Sequence, residues 1–233
     1  MLKLRDQIPL DQFMTRQIRL WEQNYRAMRE APKPQVRPCL TVSKAVGTYG
    51  VELAERLARR LGWNLFDRRI IEAIAQDAKV RHEMVEIFDE KTQNEIHKWV
   101  LTLLDSEALG SDKFFKHLVT VIRTIGEHGQ AVVVGRGGNF ILSPERTLRI
   151  RTVAPHAVRV ARIMASENLP RQEAEKLVKQ ADSERREFIQ RFYHRDPDDP
   201  LHYDLVLNTG TLTLEVAEAT VVAALRSKFP EMA

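Results

Sequence analysis

Two stretches of this sequence place glycines and a cation where a phosphate could be held. The first is Ser43-Lys44-Ala45-Val46-Gly47-Thr48-Tyr49-Gly50. It follows Cys39–Val42, a short apolar run rich in β-compatible residues. It precedes a helical pattern in which Leu53, Ala54, Leu57, Ala58 and Leu61 share one face. The first N–H groups of a helix have no intrahelical acceptor, and the helix dipole there favours negative charge. Strand, glycine turn and helix together therefore make an anion cradle. Gly47 and Gly50 allow a turn that a Cβ would resist. The second stretch is Ala131-Val132-Val133-Val134-Gly135-Arg136-Gly137-Gly138, where a β-branched strand again stops at glycines. Arg136 stands among them. A guanidinium can grip phosphate through two parallel hydrogen bonds, and parallel sheets bind ligands beyond the carboxyl ends of their strands.

A third concentration of charge lies late in the chain. Arg185, Arg186, Arg191 and Arg195 crowd the end of a helical pattern that Pro170 opens, just before Asp196-Pro197-Asp198-Asp199-Pro200. Four cations near one helix end exceed what solubility needs, which favours phosphate contact. Asp182 and Arg186 are spaced i, i+4, so part of that charge can be a structural pair. Asp67 ends the short strand Asn64-Leu65-Phe66 and can either cap the helix after it or face a site. Arg159 and Arg162, at i, i+3, read as a solvated helix face. The seven histidines show no metal-ligand spacing.

These residues need an alternating scaffold to position them. Strand patterns at 39–42, 64–66, 131–134, 147–153 and 203–208 alternate with helical ones, which predicts a parallel sheet covered by helices. Within Thr147–Val153, Leu148 and Ile150 point inward. A helix is expected from Arg68 to about Ala78, and residues 80–128 are mostly helical, with a break at Gly110-Ser111-Asp112. Residues 1–30 stand apart. Met14, Ile18, Trp21, Tyr25 and Met28 form one apolar stripe, followed by the proline-bearing linker Ala31–Pro34. Either the chain's own helices or a second subunit covers that stripe, and a homodimer through this helix is expected. The boundaries that follow are an N-terminal helical extension and linker over residues 1–35 and one α/β domain over 36–233.

With 233 residues, 43% of them hydrophobic, the chain can bury a sizeable core. A single cysteine leaves no internal disulfide framework, and Cys39 reads as a small core residue. No apolar run approaches the roughly 20 residues of a membrane helix, and the charged N-terminus lacks a secretory h-region. A cytoplasmic location is the expectation. The net charge of +4 suits a phosphorylated small molecule. Nucleic acid is not the expected partner, because no RNP-like aromatic motif or extended basic run is present.

Ser43 through Ala54, Asn64-Leu65-Phe66-Asp67, Val134-Gly135-Arg136 and Tyr203-Asp204-Leu205-Val206-Leu207-Asn208-Thr209 resemble, in order and spacing, the cytidylate kinase-like family. The resemblance runs from about Arg37 to Phe229. It implies a P-loop kinase-like fold: a five-stranded parallel sheet with helices on both faces, a helical insertion and an arginine-bearing lid. The implied reaction moves the γ-phosphoryl group of ATP to CMP or a similar nucleotide, with ATP and Mg2+ as cofactors. By the same resemblance, Ser43, Lys44, Gly47, Thr48, Tyr49 and Gly50 bind the cofactor. Asp67, Arg136, Asp182 and Arg185 bind the acceptor, and Asp67, Arg185 and Arg186 serve catalysis. No residue is assigned to a metal. One departure bears on activity. A Walker loop continues Gly-Lys-[Ser/Thr], whereas here Gly50 is followed by Val51 and Glu52. The alternative implied by that departure is a non-catalytic nucleotide-binding or regulatory protein.

Overall fold

Five short apolar segments make the sheet: β1 (Cys39–Lys44), β2 (Asn64–Phe66), β3 (Ala131–Val134), β4 (Thr147–Val153) and β5 (Leu205–Asn208). The computed structural model describes residues 10–30, 37–103 and 112–232. The expected linker at 31–34 and the Gly110-Ser111 break lie outside the described residues. All neighbouring strands run parallel, in the order β2-β3-β1-β4-β5. The central β1 sets Leu40 opposite Val132 of β3 and Leu148 of β4. Leu40, Val42, Val132, Val133 and Ile150 are fully enclosed, as a sheet covered on both faces requires. This is the expected architecture, with β3 beside a central β1.

The crossovers β1→β2 and β4→β5 run in opposite directions across the sheet. Right-handed connections therefore carry α2 (Gly50–Leu61) and α8 (His156–Glu167) to opposite faces. Beside α2 lies α10 (Leu214–Lys228), tied to it by Arg56–Glu215 at 2.6 Å and Arg60–Glu218 at 3.1 Å. Along α8 runs α9 (Arg171–Tyr193), packed over Val160, Ile163, Ala174 and Val178. Gly62 ends α2 as expected: its φ is 67°, and the Trp63 N–H reaches back to the Ala58 carbonyl at 2.9 Å. A one-turn α7 (Gly138–Ile141) follows β3.

The remaining helices, α1 (Leu10–Glu30), α3 (Arg68–Gln76), α4 (Ala78–Glu86), α5 (Glu90–Leu103) and α6 (Lys113–His128), form a compact unit of their own. The sheet with α2 and α7–α10 forms the other. The helix expected from Arg68 to about Ala78 ends at Gln76, and the Asp77 carboxylate accepts from Lys79 and Val80 N–H and caps α4. Asp112 caps α6 through the Phe115 N–H. Within the described side chains of α1, the stripe packs into this unit. Met14 and Trp21 are 1% and 3% exposed. Trp21 lies flat on His128 at 4.0 Å, Phe88 stacks on the same imidazole at 4.4 Å, and Tyr25 meets Phe88 edge-on. Of the two coverings open to the stripe, the chain's own helices supply one. Among the described residues, no helix is long and apolar enough to cross a membrane.

Candidate functional site

The turn from β1 into α2 is held by its carbonyl groups. Val46 O accepts from Arg159 Nε at 2.7 Å, and Gly47 O from Arg162 Nη1 at 3.0 Å. Thr48 O accepts from Thr209 Oγ1 at 2.9 Å. Every peptide here is trans, so each following N–H points opposite to its carbonyl. The N–H groups of Gly47, Thr48 and Tyr49 therefore turn away from the three donors, at the start of α2. This is the orientation an anion needs. The Thr48 hydroxyl donates to Ala45 O and meets Thr152 Oγ1, each at 2.7 Å, so it braces the turn.

Two positions tolerate little beyond glycine. A Cβ on Gly47 (φ 75°) would stand 2.7 Å from Arg159 O. One on Gly50 would stand 2.6 Å from both Lys44 Cβ and Thr152 Oγ1. Tyr49 adopts a left-handed φ of 54° without being glycine, and the Arg162 guanidinium lies over its ring at 3.8 Å.

Beyond the ends of β1 and β4 lies a cavity of about 230 Å³ lined by Arg151, Arg159, Arg185 and Arg186 and by Asp182 and Asp198. Four guanidiniums face two carboxylates, a surplus of two positive charges. Arg151, on β4, is 5% exposed; it pairs with Asp198 and reaches Tyr203 Oη at 3.3 Å and Ser43 Oγ at 3.4 Å. Arg159, 8% exposed, pairs with Asp182 at 2.7 Å, and Arg185 reaches the same carboxylate at 3.3 Å. Arg186 pairs with Asp198 at 2.6 Å. Burial lowers the Arg185 pKa; Asp182 opposes that, and Arg151 and Arg159 add to it. A cation in that position gains from a further anion.

The turn after β3 presents a side chain. Gly135, Arg136 and Gly137 all have positive φ, at 77°, 52° and 70°. The Tyr193 hydroxyl donates to Arg136 O at 2.7 Å, and the Arg136 guanidinium lies over the Phe188 ring at 4.7 Å. Any Cβ on Gly137 would run into the Tyr193 ring. Burial pushes the Tyr193 pKa far above the tyrosine range, with the Arg136 charge pulling the other way. Asp67 belongs to the helical unit, where its carboxylate caps α3 through the Ile70 N–H at 3.0 Å.

The sequence profile of the cytidylate kinase-like family matches residues 39–211. The chain belongs to that family. Among solved structures, an uncharacterized protein from Eubacterium ventriosum superposes with a TM-score of 0.67 at 16% identity, over 82% of this chain and 99% of that one. A shikimate kinase from Bacteroides thetaiotaomicron gives a TM-score of 0.46 at 14% identity, over 81% of this chain and 98% of that one. A curated relative, named a uronate isomerase, from Corynebacterium glutamicum is 35% identical over 100 residues. Those residues are 42% of this chain and 19% of that protein, so the match spans about a fifth of the relative's length.

Within this family member, the structure gathers Ser43, Lys44 and the 47–50 turn at the end of β1, and Asp182, Arg185 and Arg186 around the cavity. Arg136 is held further along the same α9 by Phe188 and Tyr193. Two expectations need correction. Arg159 and Arg162 are not a solvated face: Arg159 is buried, and both donate to carbonyls of the β1 turn. Asp182 pairs not with Arg186 but with Arg159 and Arg185, while Arg186 turns to Asp198. Sequence reasoning missed Arg151, Thr152 and Asp198. Thr209 was legible only as the last residue of the Tyr203–Thr209 motif, whose Asp204 clamps Arg149 at 3.0 Å and Lys228 at 2.9 Å.

Proposed function

We propose that this chain is a kinase-like nucleotide-binding protein that transfers the γ-phosphoryl group of ATP to CMP or a similar nucleoside monophosphate. The observation that carries the reading is the β1 turn, whose carbonyls are pinned by Arg159, Arg162 and Thr209 so that its N–H groups are set for phosphate oxygens. Phosphoryl transfer asks mainly for positioning and charge stabilisation. An acceptor phosphate oxygen bonds to the γ-phosphorus while the bond to the β–γ bridging oxygen breaks, and ADP leaves. In this reading the turn, with Ser43 and Lys44 before it, orients the donor phosphates. Arg185 and Arg186 stabilise the charge of the moving group, and Asp182 holds Arg185 in place. Arg136 grips the acceptor phosphate. Asp67 is given to the acceptor side by the family resemblance.

The turn suits phosphates better than it suits a metal ligand. Thr48 already has two partners for its hydroxyl, and Glu52 stands where a Walker loop carries its hydroxyl residue. Among the described residues, no group of three histidines, cysteines or carboxylates could hold a metal ion. Mg2+ would arrive with ATP, held by phosphate oxygens and water, and would neutralise phosphate charge.

Val51, in place of the loop cation, favours a second reading, in which the protein binds nucleotide without transferring phosphate. A coupled assay with ATP, Mg2+ and each nucleoside monophosphate, run beside calorimetric binding, separates the two. Turnover with one acceptor supports transfer. Binding without turnover supports the second reading, and absence of both ends the nucleotide reading.

A further inference from the structure

The arginine cavity holds an anion of its own. The Asp198 carboxylate spans two guanidiniums, one oxygen on Arg151 Nη2 and the other on Arg186 Nη2 at 2.6 Å. Two oxygens of one group facing two arginines is also how a phosphoryl group is gripped. The partners differ in burial: the Arg151 side chain is 6% exposed and that of Arg186 is 61%. A cation as enclosed as Arg151 needs a counter-ion at all times. Asp198 itself, 49% exposed, sits at the rim and can leave toward solvent. Asp182 has no such freedom, clasped between Arg159 and Arg185.

The segment carrying Asp198 is braced by local bonds and tied down at Pro197. Its N–H donates to the Asp196 carboxylate at 2.9 Å, and the Leu201 N–H donates to the Asp199 carboxylate at 2.9 Å. Tyr203 Oη donates to Pro197 O at 2.8 Å and is the same hydroxyl that Arg151 reaches. Arg151 also contacts Ser43 at the end of β1. Whatever occupies Arg151 is thus felt both by the 196–200 segment and by the start of the phosphate turn.

We propose that Asp198 is an internal counter-ion occupying a phosphoryl subsite, which a ligand's phosphate must displace, so that the 196–200 segment lifts when the ligand enters. The proposal rests on the phosphate-binding reading above. It also sets the ligand class. Exchanging Asp198 for another carboxylate changes no charge, and the newcomer must beat a tethered competitor whose effective concentration is on the order of millimolar. With Asp198 displaced, the four guanidiniums face Asp182 alone, and a phosphate monoester dianion brings two charges where the aspartate brought one. Asp198 therefore excludes monoanions and admits phosphoryl dianions. Its pKa fits the role: burial would raise it, yet the hydrogen bond from Arg186 and the charges of Arg151, Arg186 and Arg185 bring it below the ordinary value.

The test is Asp198→Asn, isosteric and uncharged, with orthophosphate and acetate at pH 8 as probes in an NMR or calorimetric titration of the full chain. The variant should bind phosphate about tenfold tighter than the parent, the worth of one charge-assisted hydrogen bond, and should acquire measurable acetate binding. Equal or weaker phosphate affinity in a folded variant overturns the proposal while leaving the phosphate site standing. Failure of both proteins to bind phosphate overturns the site and the counter-ion together. Should the variant not fold, hydrogen exchange on the parent chain decides. Phosphate should speed exchange at the Asp198 and Leu201 amides, and unchanged or slowed exchange there overturns the displacement.

Discussion

After β1 the chain turns through Gly47 and Gly50; after β3 it turns through Gly135, Gly137 and Gly138. Both turns follow largely buried strands, and both contain a non-glycine residue with positive φ, Tyr49 in one and Arg136 in the other. Their supports differ. Three donors from two distant parts of the chain, Arg159 and Arg162 on α8 and Thr209 after β5, seize the carbonyls of the first turn. The second is braced by α9, with the Tyr193 hydroxyl on the Arg136 carbonyl and Phe188 beneath the guanidinium. Carbonyls held from behind leave N–H groups in front, so the first turn can offer backbone dipoles. A backbone held at one carbonyl, with a ring under the side chain, offers a formal charge. The same local design thus presents two different groups, backbone N–H in one turn and a guanidinium in the other, decided by what packs behind each turn.

Substituting the glycines should break the comparison most sharply. At Gly50 the obstructing atoms, Lys44 Cβ and Thr152 Oγ1, lie close to the backbone and cannot swing aside. Gly50→Val should distort the first turn and remove at least two charge-assisted bonds to phosphate. At about 1.5–3 kcal/mol each, nucleotide affinity by calorimetry should fall about a hundredfold or more. Unchanged affinity would mean that the turn is only a turn. Gly137→Ala adds a Cβ against the Tyr193 ring at a left-handed φ, so it should lose about 3 kcal/mol of stability in urea denaturation, from overpacking plus backbone strain. The first variant should be mainly a binding defect and the second mainly a stability defect.

Arg159→Ala comes next, because it removes a support rather than a turn residue. Val46 O loses its donor, and Asp182 keeps Arg185 alone. Stability should drop by about 2–3 kcal/mol, as expected when a buried acceptor and a partly buried carboxylate lose their partner. Nucleotide affinity should fall with it, since the turn is no longer pinned. A loss of stability with intact affinity would show that Arg162 and Thr209 suffice to orient the N–H groups.

What could be read in advance follows from the range of the interactions. Strand and helix periods, the cap at Asp112 and the glycine stop at Gly62 are local, and they were legible. Arg151 was not. Alternation along β4 puts it opposite to Leu148 and Ile150, which in a half-exposed strand would mean solvent. In a sheet covered on both faces, that side is buried too. Arg159 and Arg162 looked solvated because i, i+3 spacing says nothing about what a helix packs against; their partners at Val46 and Gly47 lie 113 and 115 residues away. The Asp182–Arg186 spacing is worth only a few tenths of a kcal/mol in a helix, less than the buried Arg159 and the waiting Asp198 provide. The covering of the N-terminal stripe, with Trp21 on His128, likewise depends on contacts across more than a hundred residues.

On the second turn, Arg136→Ala should weaken nucleotide binding by about tenfold or more, the worth of a charge-assisted bond of about 1.5–3 kcal/mol. A folded variant with parental affinity would make Arg136 a structural residue stacked on Phe188. Tyr193→Phe keeps the ring against Gly137 and deletes the hydroxyl that donates to Arg136 O. It should cost about 1 kcal/mol of stability, and any loss of affinity should stay smaller than that of Arg136→Ala. A larger loss would mean that the hydroxyl aims the arginine rather than merely tethering its backbone.

The smallest effect should come from Tyr49→Gly, and its sign sharpens the comparison. Tyr49 holds φ at 54°, which disfavours a residue with a Cβ by roughly 1–2 kcal/mol. Against that strain stands its stack on Arg162, a cation–π contact worth about 0.5–1 kcal/mol at a site where the tyrosine is 38% exposed. Glycine also has more freedom to lose on folding, by roughly 0.5–1 kcal/mol relative to alanine. These contributions nearly cancel, so stability should shift by less than about 1 kcal/mol. Arg162 keeps its bonds to Gly47 O and Thr209 O without the ring, so nucleotide affinity should stay within a few-fold of the parent. A tenfold loss of affinity at unchanged stability would give the tyrosine ring a task in the ligand site. The first turn would then offer a side chain as well as backbone, and the contrast with the Arg136 turn would narrow to the charge that each presents.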